Sequence, residues 1–519
     1  MVTLDLVVLA LAVLGSVLAS MRWLRVAQRE HYLAGSVTRF AWRWWTGAPD
    51  NVVLVCVGLA GAIAGVFLAP VALVPAGVAV LGPRRLGLKG RTSRLNWTRR
   101  LATTAVVGWV LDGLAIGAGG AVGGMAGAAA AAGLVAVLSP LGLDLALVVT
   151  RPLEERSAAR FVAQASERLQ KVHPLVIGVT GSFGKTTVKG YVAHLLAPHR
   201  TTLASPKSFN NRAGLARTVN EHLGPATEVL VAEMGTYGPG EIAAMCSWLQ
   251  PQLSVITAIG PAHLERFKRL ERTLAAKAEI TSTARTVVLN VDDGRLAQLA
   301  AELSDDKRVV GASGRDETAD VAVLEVPEGL ELRRQGRRIG RVALPAPDRP
   351  SVLSNVACAA AVALELGVAE DEVLSGLASL PVPANRLQRY LANDGYVVFD
   401  DTFNSNPTGA RIALGRLAGE EAVSPAGRRV VVTPGMVELG PVQHEENAAL
   451  GEAAARIADH LVVVARTNRA ALVEGARRAG TGTTVTMVER LDEALRWVRT
   501  SLGPGDAVLY EDDLPDHFP

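Results

Sequence analysis

Seven consecutive residues, Gly181-Ser182-Phe183-Gly184-Lys185-Thr186-Thr187, carry the most specific chemistry in this chain. Gly181 and Gly184 let backbone amides wrap an anion, and the amino end of a following helix adds its partial positive charge. Lys185 is placed to reach the terminal phosphates of a nucleotide, and the Thr186 hydroxyl to ligate Mg²⁺. Ser182 and Thr187 complete the set expected around the phosphates. The spacing departs from the common G-x-x-x-x-G-K-[ST] loop: two residues separate Gly181 from Gly184, and five separate Gly178 from Gly184. Context adds what spacing lacks. An apolar run, 174–180, precedes the loop and a helical stretch, 188–196, follows it, and a phosphate loop needs that strand, turn and helix. The loop does not select a reaction, because a hydrolase motor, a kinase and an acid–amine ligase all need one.

The elements that must hold these residues are legible from about Val172 onward, where strand-like apolar runs alternate with amphipathic stretches, an α/β pattern. A central domain, 151–384, is expected to carry a mostly parallel sheet, its first part (151–171) being a connector. A last domain, 385–519, shows strands near 395–400, 429–433, 460–465, 483–488 and 507–510, a doubly wound, Rossmann-like pattern.

Residues 1–150 differ in kind. They hold 12 Lys and Arg against 5 Asp and Glu, a net +7, whereas the rest of the chain carries −4. The whole chain is 49% hydrophobic, which excludes disorder over most of its length. A basic, apolar first third does not resemble a nucleic-acid protein, whose cations form a groove on a folded domain. It predicts an α-helical transmembrane region. Residues 2–20 are about one bilayer long, and their basic residues (Arg22, Arg25, Arg29) follow the apolar run, unlike those of a cleaved signal peptide. A second block, 52–82, lies between two basic loops that the positive-inside rule places in the cytoplasm. At ~1.5 Å per residue it makes a tight or re-entrant hairpin. A third block, 101–150, is long enough for two spans, and its Gly/Ala run, 115–133, lets helices approach closely. Six tryptophans (Trp23, Trp42, Trp44, Trp45, Trp97, Trp109) lie in or beside this region and are expected as interface anchors. Asp112 is an intramembrane carboxylate or a helix-end residue facing headgroups. Three scattered cysteines point to a reducing compartment.

Beyond the loop, an ordered series of motifs spans roughly 172–500: GVTGSFGKTT at 178–187, SFNNRAGLARTV at 208–219, AEMGTYGPGEI at 232–242, AHLERF at 262–267, AKAEI at 276–280, LNVDD at 289–293, NRLQ at 385–388, DDTFNSNP at 400–407 and GMVELG at 435–440, followed by His444. In order and spacing this resembles the Mur ligases, and within them the MurF type. The resemblance implies an ATP-dependent ligase that phosphorylates a carboxylate and passes the acyl group to an amine. That chemistry brings polyanions together and calls for metals and a lysine more than for a nucleophilic side chain. By the same resemblance Lys185, Glu233, His263 and Lys277 are catalytic, with Thr186, Glu233, His263 and Lys277 holding two Mg²⁺. Lys277 is the lysine that takes up CO₂ to become a carbamate. Asn355, Arg386 and Asp401 face the nucleotide, and Asn210, Asn211, Asn404 and His444 face the substrates.

Departures bear on the substrates. Ser354 stands where the family often has His, and Pro434-Gly435-Met436 replaces its usual G-D-M. The chain ends LYEDDLPDHFP, acidic where a Lys-Gly-Ser is common. The membrane region stands in place of the family's UDP-sugar domain. The expected acid is therefore a carboxylate-bearing envelope precursor, possibly lipid-linked, since tethering raises effective concentration at a membrane. The expected amine is an amino acid, a dipeptide or ammonia. The expected location is the cell membrane, multi-pass, with the catalytic domains cytoplasmic. Alternatives are a ligase acting on another polymer, of the poly-γ-glutamate or amidating type, and a nucleotide-binding scaffold without turnover.

Overall fold

The computed structural model describes residues 2–87, 95–206, 209–345, 349–382, 385–403, 405–512 and 518. The chain divides into two compact units, one running to Ala158 and taking in Phe518, the other beginning at Ala159 and continuing through the last strand.

The first unit is helical: α1 (Val2–Arg29), α2 (Ser36–Thr46), α3 (Pro49–Gly65), a 3-10 turn (Ala69–Ala72), α4 (Leu73–Leu81) and the greater part of α5 (Arg99–Val172). Non-helical backbone at Gly123 and Gly124 breaks α5. Gly108 and Gly119 face Leu143 and Ala131 across the break, so the two arms run antiparallel. Among the described residues, Leu4–Arg29 and Arg99–Val172 are long and apolar enough to cross a membrane. The pair α2–α3, bent by 112°, makes a third candidate if read as one span. The second apolar block is a hairpin of unequal arms, 17 residues in α3 and 9 in α4.

Buried polar groups pin this unit. Arg22 donates to the carbonyls of Ala79 (2.9 Å), Val80 (2.9 Å) and Leu86 (2.8 Å), closing the carboxyl end of α4. Asp144 accepts from the backbone of Val37 (3.3 Å) and Thr38 (2.8 Å), capping α2; free helix amides away from water would otherwise be costly. The tryptophans do not behave as one group. Trp23, Trp44 and Trp45 are buried within the unit, while Trp42 and Trp97 face outward. On α2 the buried residues Val37, Phe40, Ala41, Trp44 and Trp45 share one face, as helical periodicity requires. Phe518 packs edge-on against Phe40, centroids 4.8 Å apart.

The second unit begins with the last turns of α5. Its first sheet is laid down by β1 (Leu175–Thr180), α6 (Lys185–Leu196), β2 (Thr202–Ala204), α7 (Arg212–His222), β3 (Val229–Glu233), α8 (Glu241–Leu249), β4 (Leu253–Ile256), α9 (Leu264–Phe267), α10 (Leu270–Ala278), β5 (Thr286–Asn290), α11 (Gly294–Leu303) and β6 (Arg308–Ser313). It continues through β7 (Val321–Val326), β8 (Gly329–Arg334) and β9 (Arg337–Ala343), with α12 (Leu353–Glu365) and α13 (Glu370–Leu377) packed afterwards. The strand order is β2-β3-β1-β4-β5-β6-β7-β8-β9, parallel from β2 to β7 and antiparallel over β7–β9. The antiparallel edge lies outside the elements read from sequence. Strand β1 is apolar on both faces, with Ile177 and Val179 against α6 and α12 and Val176 on the side of α7 and α8. A parallel strand buried on both sides has that continuous apolar run.

The second sheet comes from β10 (Gln388–Leu391), β11 (Val397–Asp401), α14 (Pro407–Ala418), β12 (Arg429–Gly435), α15 (Gln443–Ile457), β13 (His460–Val464), α16 (Arg469–Ala479), β14 (Thr484–Val488), α17 (Leu491–Ser501) and β15 (Ala507–Asp512). Its order is β10-β11-β15-β12-β13-β14, with only β10 antiparallel. The α/β architecture with mostly parallel sheets is as expected from the sequence.

Candidate active site

In open parallel sheets, ligands sit beyond the carboxyl ends of strands where the strand order reverses. Strand β1 is such a point, since β3 and β4 flank it, and the loop 181–184 leaves its carboxyl end. Gly181 has φ +154, and a Cβ there would fall 2.0 Å from Thr257 Oγ1, so no other residue fits. Gly184 is left-handed (φ +83), and α6 starts at Lys185, three residues before the expected stretch. The loop rests on the segment after β4. Ser182 N donates to Ala258 O (2.8 Å), Gly260 N donates to Ser182 Oγ (2.9 Å), and the Thr257 hydroxyl donates to Phe183 O. Asn290 holds Thr257 O at 2.8 Å, and Asp293 accepts from Ile259 N at 2.9 Å.

Two lysines converge on this turn, Lys277 buried and Lys185 half-buried. Lys185 Nζ donates to Gly181 O at 2.8 Å and Lys277 Nζ to the same oxygen at 3.0 Å. Burial lowers Lys185 to about 8, with Glu233 opposing the shift and Arg386 adding to it. Burial, then repulsion from Lys185, holds Lys277 well below the usual lysine range. Glu233, at the end of β3, is 1% exposed. Its Oε2 pairs with Lys189 Nζ (3.0 Å) and its Oε1 accepts from Asn210 Nδ2 (3.1 Å). Burial alone would raise this carboxyl; Lys189, Lys185 and the Asn210 hydrogen bond outweigh it and hold it low. Arg386 places Nη2 3.4 Å from Thr186 Oγ1 and lies over the Phe403 ring at 4.6 Å. The centre thus gathers Lys185, Lys189, Lys277 and Arg386 against the Glu233 carboxylate, an excess of positive charge that suits a polyphosphate.

The other residues singled out from sequence fall as follows. Asn355, at the start of α12, lies against Gly184. Asp401 accepts from Leu387 N at 3.0 Å, and burial raises its carboxyl against a hydrogen bond from Glu511. Asn211 turns away from Glu233 and caps α7, accepting from Gly214 N at 2.9 Å; the adjacent asparagines therefore do different work. His263 has φ +57, contacts Glu438 through Nδ1, and packs edge-on against Tyr237 at 4.8 Å. His444 is largely exposed, 3.4 Å from Glu474 on α16. Asn404 lies outside the described residues.

Sequence reasoning missed Lys189 and Glu438. Lys189 stands four residues after Lys185, one turn along the same helix face, and that spacing could have found it. Glu438 lies within the GMVELG motif but had no partner visible in sequence. The altered G-D-M position also has a local cause. Gly435 is left-handed (φ +74), and a Cβ there would fall 2.2 Å from Asn447 Oδ1. Asn447 and Asn468 instead bind the backbone of this turn, at Met436 N (2.8 Å) and Pro434 O (3.0 Å).

Among the described residues no cluster of three or more His, Cys, Asp or Glu side chains could alone hold a metal. The donor set still fits Mg²⁺ of the kind carried on phosphates, which needs one or two protein ligands and keeps its waters. Glu233 and the Thr186 hydroxyl are the protein groups beside the loop.

Comparison with known proteins accords with this geometry. Residues 179–363 match the Mur ligase middle domain and 385–510 the Mur ligase, glutamate ligase domain. The UDP-N-acetylmuramoyl-tripeptide--D-alanyl-D-alanine ligase of Mycobacterium bovis is 36% identical over 358 residues, covering 64% of this chain and 69% of that protein. Among solved structures, MurF from Acinetobacter baumannii superposes with a TM-score of 0.59 at 25% identity, covering 69% of this chain and 77% of that one. MurF ligase from Thermotoga maritima in complex with ADP gives 0.58 at 25% identity, over 69% and 80%. With both catalytic domains matched in order and the phosphate loop built as its motif requires, the chain belongs to the Mur ligase family.

Proposed function

We propose that this chain is a membrane-anchored, ATP- and Mg²⁺-dependent carbon–nitrogen ligase of peptidoglycan precursor synthesis, working through an acyl phosphate. The observation that carries the reading is the pair of lysines, half-buried Lys185 and buried Lys277, sharing one backbone oxygen beside Glu233. The Lys185 ammonium donates to the carbonyls of Gly181 (2.8 Å) and Ser182 (3.3 Å), neutral acceptors that compensate a desolvated cation poorly, and a phosphate supplies the missing charge.

In this reading the loop amides and Lys185 hold the transferred phosphate, Asn355, Arg386 and Asp401 position the nucleotide, and Asn210 keeps Glu233 oriented. Asn211, Asn404 and His444 remain substrate-side candidates. Glu233, Thr186, His263 and a carbamylated Lys277 would hold two Mg²⁺, which when bound neutralise phosphate charge. Lys277 suits the carbamate because burial favours its neutral amine, the form that attacks CO₂ and releases a proton. The carbamate then offers oxygen ligands to a hard cation. Helices α1 and α5 serve as the anchor, with the catalytic unit on the cytoplasmic side.

The Mycobacterium bovis relative is named for a muramoyl-tripeptide and D-alanyl-D-alanine, and these are the substrates to test first. Full-length protein is expected in the membrane fraction, extractable by detergent but not by alkaline carbonate. It should release ADP only when D-alanyl-D-alanine and a muramoyl-tripeptide, nucleotide-linked or lipid-linked, are supplied together. ADP release with neither form would reject the ligase reading, and recovery in the soluble fraction would reject the anchor.

The state of Lys185 sets a pH dependence. It is lowered to about 8, and a bound anion favours its charged form. Below pH 8 the lysine is already protonated and ADP affinity should be flat. Above pH 8 binding must take up a proton, so affinity should fall by up to about tenfold per pH unit. Calorimetric titration with ADP between pH 6.5 and about 9.5 reads this directly; a flat profile would remove Lys185 from the phosphate site.

A further inference from the structure

Glu438 has no part in the phosphate site described above, yet it joins the two catalytic domains at His263, three residues after Gly260, whose amide donates to Ser182 of the loop. Its carboxylate contacts His263 Nδ1 and lies 3.9 Å from Arg266 Nη2. Its carbonyl accepts from Glu265 N at 3.1 Å. Tyr237 packs against His263, and the Arg266 guanidinium lies 4.5 Å over the Tyr237 ring. His263, Lys268 and Glu438 all have positive φ, of +57, +69 and +62. Side-chain-bearing residues keep that conformation only where their surroundings over-determine it, and such residues gather at functional sites.

The two nitrogens of an imidazole are not equivalent. A carboxylate at Nδ1 holds the proton there and leaves the Nε2 lone pair free and aimed. Histidines that ligate metals are commonly oriented in this way by a second group. Here that group comes from the other domain, 175 residues away in sequence.

We propose that Glu438 is the positioning residue of His263: reaching from the C-terminal domain, it fixes the imidazole with Nε2 presented to a phosphate-bound divalent cation, so that this metal position is complete only when the two catalytic domains are docked. The proposal rests on the ligase reading of the site and adds to it a metal position that depends on a contact between the two domains.

The test counts Mn²⁺ by electron paramagnetic resonance on full-length, detergent-solubilised protein saturated with a non-hydrolysable ATP analogue. Wild type should bind two Mn²⁺. Glu438→Ala should keep the first with unchanged affinity and weaken the second by about 10- to 100-fold. Glu438→Gln, which keeps an acceptor for Nδ1–H without the charge, should fall between, and it carries the test if the alanine variant does not fold. Equal second-site affinity in all three proteins overturns the proposal. So does a fall in nucleotide affinity or melting temperature with the second site unmoved, the signature of a plain interdomain latch. Wild type that binds nucleotide but only one Mn²⁺ overturns it through His263. Wild type that binds no nucleotide overturns the ligase reading and this proposal with it.

Discussion

Lys277→Met is expected to cost on the order of 10²–10³-fold or more in turnover, while the protein melts at or above the wild-type temperature. The two effects have one cause. Lys277 is 3% exposed, its ammonium donates to a single carbonyl, and Lys185 repels it. Its folded-state pKa lies below the unfolded value, so at neutral pH the native fold carries a penalty that shrinks as pH rises toward the unfolded pKa. Methionine matches the length of the stem and removes the charge, relieving that penalty. What it cannot do is take up CO₂ or present oxygens to a cation. Parallel measurements of ADP release and thermal unfolding check the pair of outcomes. A variant that turns over normally would remove the carbamate from the mechanism, and one that unfolds would show that the lysine is structural.

Glu233→Ala should have the opposite sign in stability. The carboxylate is the counter-charge for Lys189, 3.0 Å away with both side chains buried, and for Lys185. Removing one member of a buried ion pair leaves the other uncompensated, at a cost of about 3–5 kcal/mol. The same change makes the pocket more positive. Metal-free ADP should therefore bind at least as well as to wild type, while Mg²⁺ should no longer strengthen nucleotide binding and turnover should be lost. Calorimetry with ADP, in Mg²⁺ and in a chelator, separates these effects. If Mg²⁺ helps the variant as much as wild type, Glu233 is not the metal carboxylate. Glu233→Gln keeps the hydrogen-bonding shape and should recover part of the stability without the metal response.

The contrast between these buried charges shows why the site could be read only in part from the sequence. The phosphate loop was legible because its parts are consecutive. Strand, glycine turn, lysine and helix occupy 175–196 without interruption, and the geometry follows from local backbone preferences. The apolar run of β1, buried on both faces, is likewise a local signal. The motif series carried the family because order and spacing survive in one dimension. The antiparallel strands β7–β9 did not announce themselves, since Arg333, Arg334, Arg337, Arg338 and Arg341 interrupt their alternation. Ion pairs such as Arg341–Glu331 at 2.7 Å make those arginines compatible with a sheet, and such pairs form only after the strands have met.

Sequence by itself determined the α/β class, the phosphate loop, the family and the apolar character of the first third. All four rest on periodicity or on neighbours a few residues apart. Tertiary structure alone decided which charges meet: Lys277 with Gly181 across 96 residues, Lys189 with Glu233 across 44, and His263 with Glu438 across 175. It also separated Asn210, which faces Glu233, from Asn211, which caps α7, and sent Trp23, Trp44 and Trp45 inward. The physical reason is common to all of these. Hydrophobic burial brings distant segments together without regard to sequence distance, and only then do the short-range forces between charges and hydrogen-bonding groups assign each side chain its partner.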